Sequence, residues 1–125
     1  MSGAMKLVVD ALPPSLNKLL RMHWATGRMA QRDWRLMIFE AYGRAYGPPI
    51  LPYEMTPKVK KLVTLDFYFR TNRRRDADNY QKIILDALVQ NGLLYDDSPE
   101  WCETRVRFWK DRDRPRTEIT LEVDG

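Results

Sequence analysis

The sequence predicts an α+β domain: a small mixed β-sheet with two helices packed on one face, in the order β-α-β-α-β-β. Three observations predict it. The chain has 125 residues, 44% hydrophobic and 30% charged, which is room for one buried core spanning residues 1–125 and not for two. Three stretches alternate apolar and polar residues with period two, a fourth reads as a short strand, and two others repeat apolar residues with the helical period. The strands and helices are interleaved at first and end in two consecutive strands, without repeats or low-complexity tracts.

Residues 6–11 read as a short strand, and Pro13, Pro14 and Ser15 stop it. A loop is expected through about Gly27. In residues 31–45, Trp34, Met37, Ile38, Ala41, Tyr42 and Ala45 follow the spacing of a helix with one buried face. Gly43 costs this helix about 1 kcal/mol relative to Ala, and Gly47, Pro48 and Pro49 end it. A Pro-rich connector runs to Pro57. In residues 59–69, Val59, Val63, Leu65, Phe67 and Phe69 alternate with Lys60, Thr64, Asp66 and Arg70, as in a long strand with one buried side.

The second helix is expected over residues 79–90, with Tyr80, Ile83, Ile84, Ala87 and Leu88 on its core face and Asn91-Gly92 as its stop. Leu85 and Val89 lie off that stripe on the Lys82 side, so they are expected to pack against a partner subunit or a neighbouring loop. Residues 101–110 and 117–123 alternate again, and with a charged turn between them they are expected to pair as an antiparallel hairpin.

Composition excludes several kinds of chemistry. Cys102 and His23 are the only residues of their types, which argues against a disulfide framework, a thiolate zinc site and a Ser/His/Asp triad. Cys102 reads as a small core residue and His23 as a loop or packing residue. No run approaches the roughly 20 apolar residues of a membrane span, and the start lacks a secretory pattern. A cytoplasmic protein with no membrane contact is expected. The net charge of +4 is too small to imply nucleic acid by itself, so the placement of charge carries more than its sum.

Two acidic pairs stand at element ends. Asp76 and Asp78 are at the entrance of the second helix, and Asp96 and Asp97 are in the turn after it. If the strands on either side are neighbours in the sheet, these carboxylates can converge. Such a cluster repels itself unless a cation neutralises it, and oxygen-only ligands favour Mg²⁺ or Mn²⁺. Lys82, four residues past Asp78, falls on the same helix face. Structural readings stand beside this one. Asp78-x-x-Gln81 has the spacing of a capping box, Lys82 with Asp78 and Asp86 has that of i,i+4 ion pairs, and Asp97-Ser98-Pro99 has turn chemistry. An EF-hand is excluded, because Gln81 and Ala87 fall where Gly and Glu are needed.

Arginine crowds the same region. Arg70, Arg73, Arg74 and Arg75 precede the carboxylates, while Arg105, Arg107, Lys110, Arg112, Arg114 and Arg116 populate the last two strands and their connection. Guanidinium forks suit phosphate, and the interleaved Trp101 and Trp109 could stack on bases. A solvated hairpin balanced by Asp111, Asp113 and Glu118 is the structural alternative.

Taken together, Arg73-Arg-Arg-Asp76-Ala-Asp78-Asn79-Tyr-Gln81-Lys82, then Asp86-Ala87-Leu88, then Leu94-Tyr95-Asp96-Asp97 resembles the RusA family of Holliday junction resolvases. Pro13-Pro14-Ser15-Leu16-Asn17 is similar to that family's opening. The resemblance implies a RusA-like fold and a small homodimeric endodeoxyribonuclease, from a bacterium or its phage, that cuts four-way DNA junctions in recombination and repair with Mg²⁺ or Mn²⁺. It implies Asp76, Asp78 and Asp97 as the essential carboxylates, Asp96 as a companion acid and metal ligand, and Lys82 as the essential lysine. Arg73, Arg74, Arg75, Asn17, Lys18, Arg105 and Arg107 are the residues expected to bind DNA. A binding module for branched DNA that does not cut it, and a nuclease or phosphatase acting on another nucleic-acid substrate, are the competing expectations.

Overall fold

The strand with the longest apolar and aromatic run takes the middle of the sheet. The computed structural model describes residues 4–14, 18, 21, 23–47, 56–71 and 80–123. Its elements are β1 (Met5–Val9), α1 (Trp24–Tyr46), β2 (Lys61–Phe69), α2 (Lys82–Gln90), β3 (Cys102–Lys110) and β4 (Arg116–Val123). This is the α+β order that the periodicities predict. Among the described residues the sheet has four strands in the order β1-β4-β2-β3, with β1 and β2 antiparallel to β4, and β3 parallel to β2.

The register stacks the core in layers across the strands. Leu65 of β2 faces Ile119 of β4 on one side and Val106 of β3 on the other, and Phe67 is matched in the same way by Thr117 and Phe108. Both helices cover this face. Trp34, Ile38 and Ala41 of α1 join Ile83, Ile84 and Leu88 of α2 over Leu7, Val63, Leu65, Phe67, Ile119 and Leu121 in one buried cluster. Asn91 ties the two helices together, its Nδ2 donating to the carbonyl of Arg35 at 3.0 Å and to that of Ala87 at 2.9 Å.

Three local expectations are corrected. β3 and β4 do not pair, because β2 lies between them. Their connection passes over the end of β2, where the Asp111 N–H donates to the Phe69 carbonyl at 2.8 Å. Alternation fixes which face each residue takes and leaves the choice of neighbour open. The first helix starts at Trp24, seven residues before the apolar stripe signals it, and the His23 ring accepts a hydrogen bond from the Ala25 N–H at 3.3 Å as its cap. Ala45, predicted on the core face, is exposed in the last turn of that helix.

Leu85, at 5% exposed, and the half-buried Val89 are covered within the single chain. Of the two expectations for them, the chain's own packing is the one observed, so they offer no partner surface. With Ile83, Ile84, Leu85, Ala87 and Leu88 all buried, α2 is enclosed nearly all round. Among the described residues no helix is long and apolar enough to cross a membrane.

Candidate active site

The start of α2 is set by an aromatic box beneath it. The Tyr80 ring lies 5.9 Å from Phe67, 5.6 Å from Phe69 and 6.0 Å from Phe108, partly in edge-on contacts. This half-buried anchor fixes where the chain enters the helix. Two residues on, Lys82 points outward with 58% of its side chain exposed.

Asp97 reaches Lys82 by a return path. Parallel pairing puts the end of β2 and the start of β3 at opposite ends of the sheet, so α2 by itself carries the chain away from the β2 exit. At the helix end Gly92 takes a φ of 73°, and the Leu93 N–H donates to the Leu88 carbonyl at 3.0 Å. Leu93 and Leu94 are buried. Lys61 Nζ pins the turn by donating to the Leu93 carbonyl at 2.9 Å, and burial pushes the Lys61 pKa down. The chain then returns beside α2, bringing Asp97 Oδ2 within 3.7 Å of Lys82 Nζ.

Asp86, one helical turn past Lys82, places Oδ1 3.3 Å from the same ammonium. The Asp86 carboxylate first, and Asp97 after it, raise the Lys82 pKa, so its positive charge is secured. The i,i+4 pair that the spacing predicts is therefore present, and Asp97 joins it from another part of the chain. Asp96 is half-buried beside Asp97. Burial pushes the Cys102 thiol up, the Thr104 hydroxyl opposes that, and the Asp97 and Asp96 carboxylates add to the rise. Cys102 is buried and free, as its place in the alternation predicts.

Asp76, Asp78, Arg73, Arg74, Arg75 and Asn17 lie outside the described residues, and Lys18 is exposed. Among the described residues no three His, Cys, Asp or Glu side chains gather as a metal site. What the described part supplies is Asp97 with Asp96 beside it and a cation within reach. The donors are all oxygen, which fits a hard divalent cation and excludes a thiolate or imidazole set. The helix begins at Lys82, so Gln81 is at the N-cap rather than at the third helical position that a capping box with Asp78 requires, and it makes no side-chain cap.

Arg105 and Arg107 lie across the sheet from Lys82. On β3 they alternate with Val106 and Phe108, which pack against the core, so both arginines project from the face without helices. Arg107 grips Asp66 in a fork, Nε to Oδ1 at 2.7 Å and Nη2 to Oδ2 at 3.0 Å, and Trp109 Nε1 donates to Oδ1 at 2.8 Å. Burial alone would push the Asp66 carboxyl up, but these hydrogen bonds overcome it and hold the group below the usual carboxylate range. Tyr68 stacks on Trp109 at 6.2 Å, and the Arg116 guanidinium sits 3.7 Å above the Tyr68 ring. Sequence reasoning placed Asp66 on this face without a role. The signal was available, since a carboxylate in the middle of an apolar strand has to find donors.

A protein-family model described as endodeoxyribonuclease RusA matches residues 31–122, most of the chain. The match takes in every candidate from Arg73 to Arg107 and stops short of Asn17 and Lys18. No curated protein matches the chain.

Proposed function

The chain belongs to the RusA endodeoxyribonuclease family, and on that premise we propose that it resolves four-way DNA junctions as a homodimer, by paired metal-dependent nicks, in the cytoplasm of a bacterium or of one carrying its phage. The observation that carries this reading is the 3.7 Å approach of Asp97 to Lys82, four residues after Asp78. It brings the later acidic turn to the entrance of the helix that the earlier acidic pair precedes.

Asp76, Asp78 and Asp97 would hold Mg²⁺ or Mn²⁺, with Asp96 as companion ligand. When bound, such a cation supplies an activated water and neutralises charge on the scissile phosphate. The protein's own contribution is positional. Lys82, kept protonated by Asp86 and Asp97, contacts the scissile phosphate and the negative charge that grows on it. The composition agrees, because this chemistry needs no histidine base and the chain has a single histidine. Arg73, Arg74 and Arg75, with Asn17 and Lys18, are the residues assigned to phosphates of the junction. Arg105 and Arg107 face away from it and touch an arm of the junction, Arg107 with part of its charge offset by Asp66.

A four-way junction has twofold symmetry and needs two matched cuts, which a symmetric dimer supplies. The test is incubation with a labelled junction and with linear duplex, with and without Mg²⁺ or Mn²⁺, beside Asp78→Asn. Paired, metal-dependent nicks in the junction alone, lost in the variant, are expected. Salt-sensitive binding that no metal converts to cleavage would instead establish a module that binds without cutting. Equal cutting of linear duplex would move the activity to another nucleic-acid substrate.

A further inference from the structure

The first helix carries a second apolar stripe that its own chain leaves uncovered. Trp34, Ile38 and Ala41 face the core, while Met29 (56% exposed), Leu36 (45%) and Phe39 (51%) lie on the opposite side. Met29, Leu36 and Gly43 are seven residues apart, and Arg32, Phe39 and Tyr46 follow each of them by three. This is the a and d spacing of a coiled coil. A Cβ added at Gly43 would meet nothing within 4 Å, so the helix backbone is open to close approach there. Tyr46 borders the stripe, its hydroxyl held by the backbone of Lys6 at 2.9 Å.

The flanking charges select the partner and its direction. Arg28 and Arg35 occupy the g positions beside the stripe, and Asp33 and Glu40 occupy the e positions; all four are exposed. In a parallel pair of identical helices each g residue meets the e residue five positions on in the partner. Arg28 then faces Asp33, and Arg35 faces Glu40, twice each by symmetry. An antiparallel pair would set the arginines against each other and the acids against each other. In the single chain the Arg28 guanidinium lies over the Trp24 ring at 5.7 Å.

We propose that the outer face of α1 is the surface through which two copies of this chain associate, with the two α1 helices parallel. The inference rests on the homodimer reading above and assigns it to a surface. On α2, the surface the sequence suggested, Leu85 is buried and Val89 is half-buried against the chain's own core.

The test combines sedimentation of the full chain with cysteine pairing. In a parallel pair Leu36 meets its own copy, so Leu36→Cys is expected to form a covalent dimer on mild oxidation, while Arg44→Cys, off the stripe, does not. Arg35→Glu is expected to weaken dimerisation about tenfold, and the swap Arg35→Glu with Glu40→Arg to restore it. A wild-type dimer in which Leu36→Cys fails to crosslink, or in which the swap fails to rescue, overturns the α1 surface and leaves the homodimer reading standing. A wild-type monomer at tens of micromolar overturns both.

Discussion

Replacing Lys82 by Ala separates its chemical role from its structural one, because the structure sets a low ceiling on the structural part. The ammonium is 3.3 Å from Asp86 and 3.7 Å from Asp97, and 58% of the side chain is exposed. In water two unit charges at 3.7 Å attract by about 1 kcal/mol, and exposed pairs retain about 0.2–1 kcal/mol after screening and lost side-chain freedom. Lys82→Ala should therefore lower unfolding stability by less than about 1 kcal/mol. A donor aimed at charge that develops in the transition state is worth about 2.7–4 kcal/mol, or roughly 10²–10³ in rate. The assay pairs urea unfolding, followed by tryptophan fluorescence, with single-turnover cleavage of a labelled junction and a gel shift without divalent ion. A large loss of rate with binding and stability nearly intact is the expected result. Equal losses in binding and cleavage, or a stability loss of several kcal/mol, would refute the assignment of Lys82 to the scissile phosphate.

Asp66→Ala removes a carboxylate that takes three hydrogen bonds from Arg107 and Trp109, and it should destabilise the fold by about 2–3 kcal/mol in chemical denaturation while leaving cleavage chemistry in place. Because the folded-state pKa of Asp66 is depressed, its stabilisation is present above the unfolded value of about 3.9 and is lost as pH falls through the folded value, so wild-type stability should fall on acidification and the Asp66→Asn variant should show a flatter acid limb. Leu85→Ala should cost about 2–5 kcal/mol at every protein concentration, because its burial is internal to the chain; a cost that appears only where the protein dimerises would return Leu85 to an interface.

The element order was legible because each element writes its own period. Val63, Leu65, Phe67 and Phe69 mark β2, and Ile83, Ile84, Ala87 and Leu88 mark α2. Strand neighbours were not legible. The Arg-rich link between β3 and β4 reads like a hairpin, yet β2, buried on both sides, takes the central place and the link spans its end. The first turns of α1 were missed because Thr26, Gly27 and Arg28 give no apolar repeat and a histidine is an unusual cap. The residues of the site were legible as types and spacing. The Asp97–Lys82 approach was not, since it depends on a parallel crossover and on the turn that Gly92 and Lys61 hold. Arg107 shows the same limit: sequence identifies the guanidinium but not the carboxylate that it already grips.

The central claim is that carboxylates from the two sides of α2 share one divalent ion next to Lys82. Anomalous diffraction from crystals grown with Mn²⁺ tests it most directly. The expected map has a manganese peak bounded by Asp97 on one side and Asp76 or Asp78 on the other, and the peak is lost in Asp97→Asn. A peak that forms without Asp97, or Asp76 and Asp78 lying out of reach of Asp97 within the monomer and across the dimer, would contradict the account.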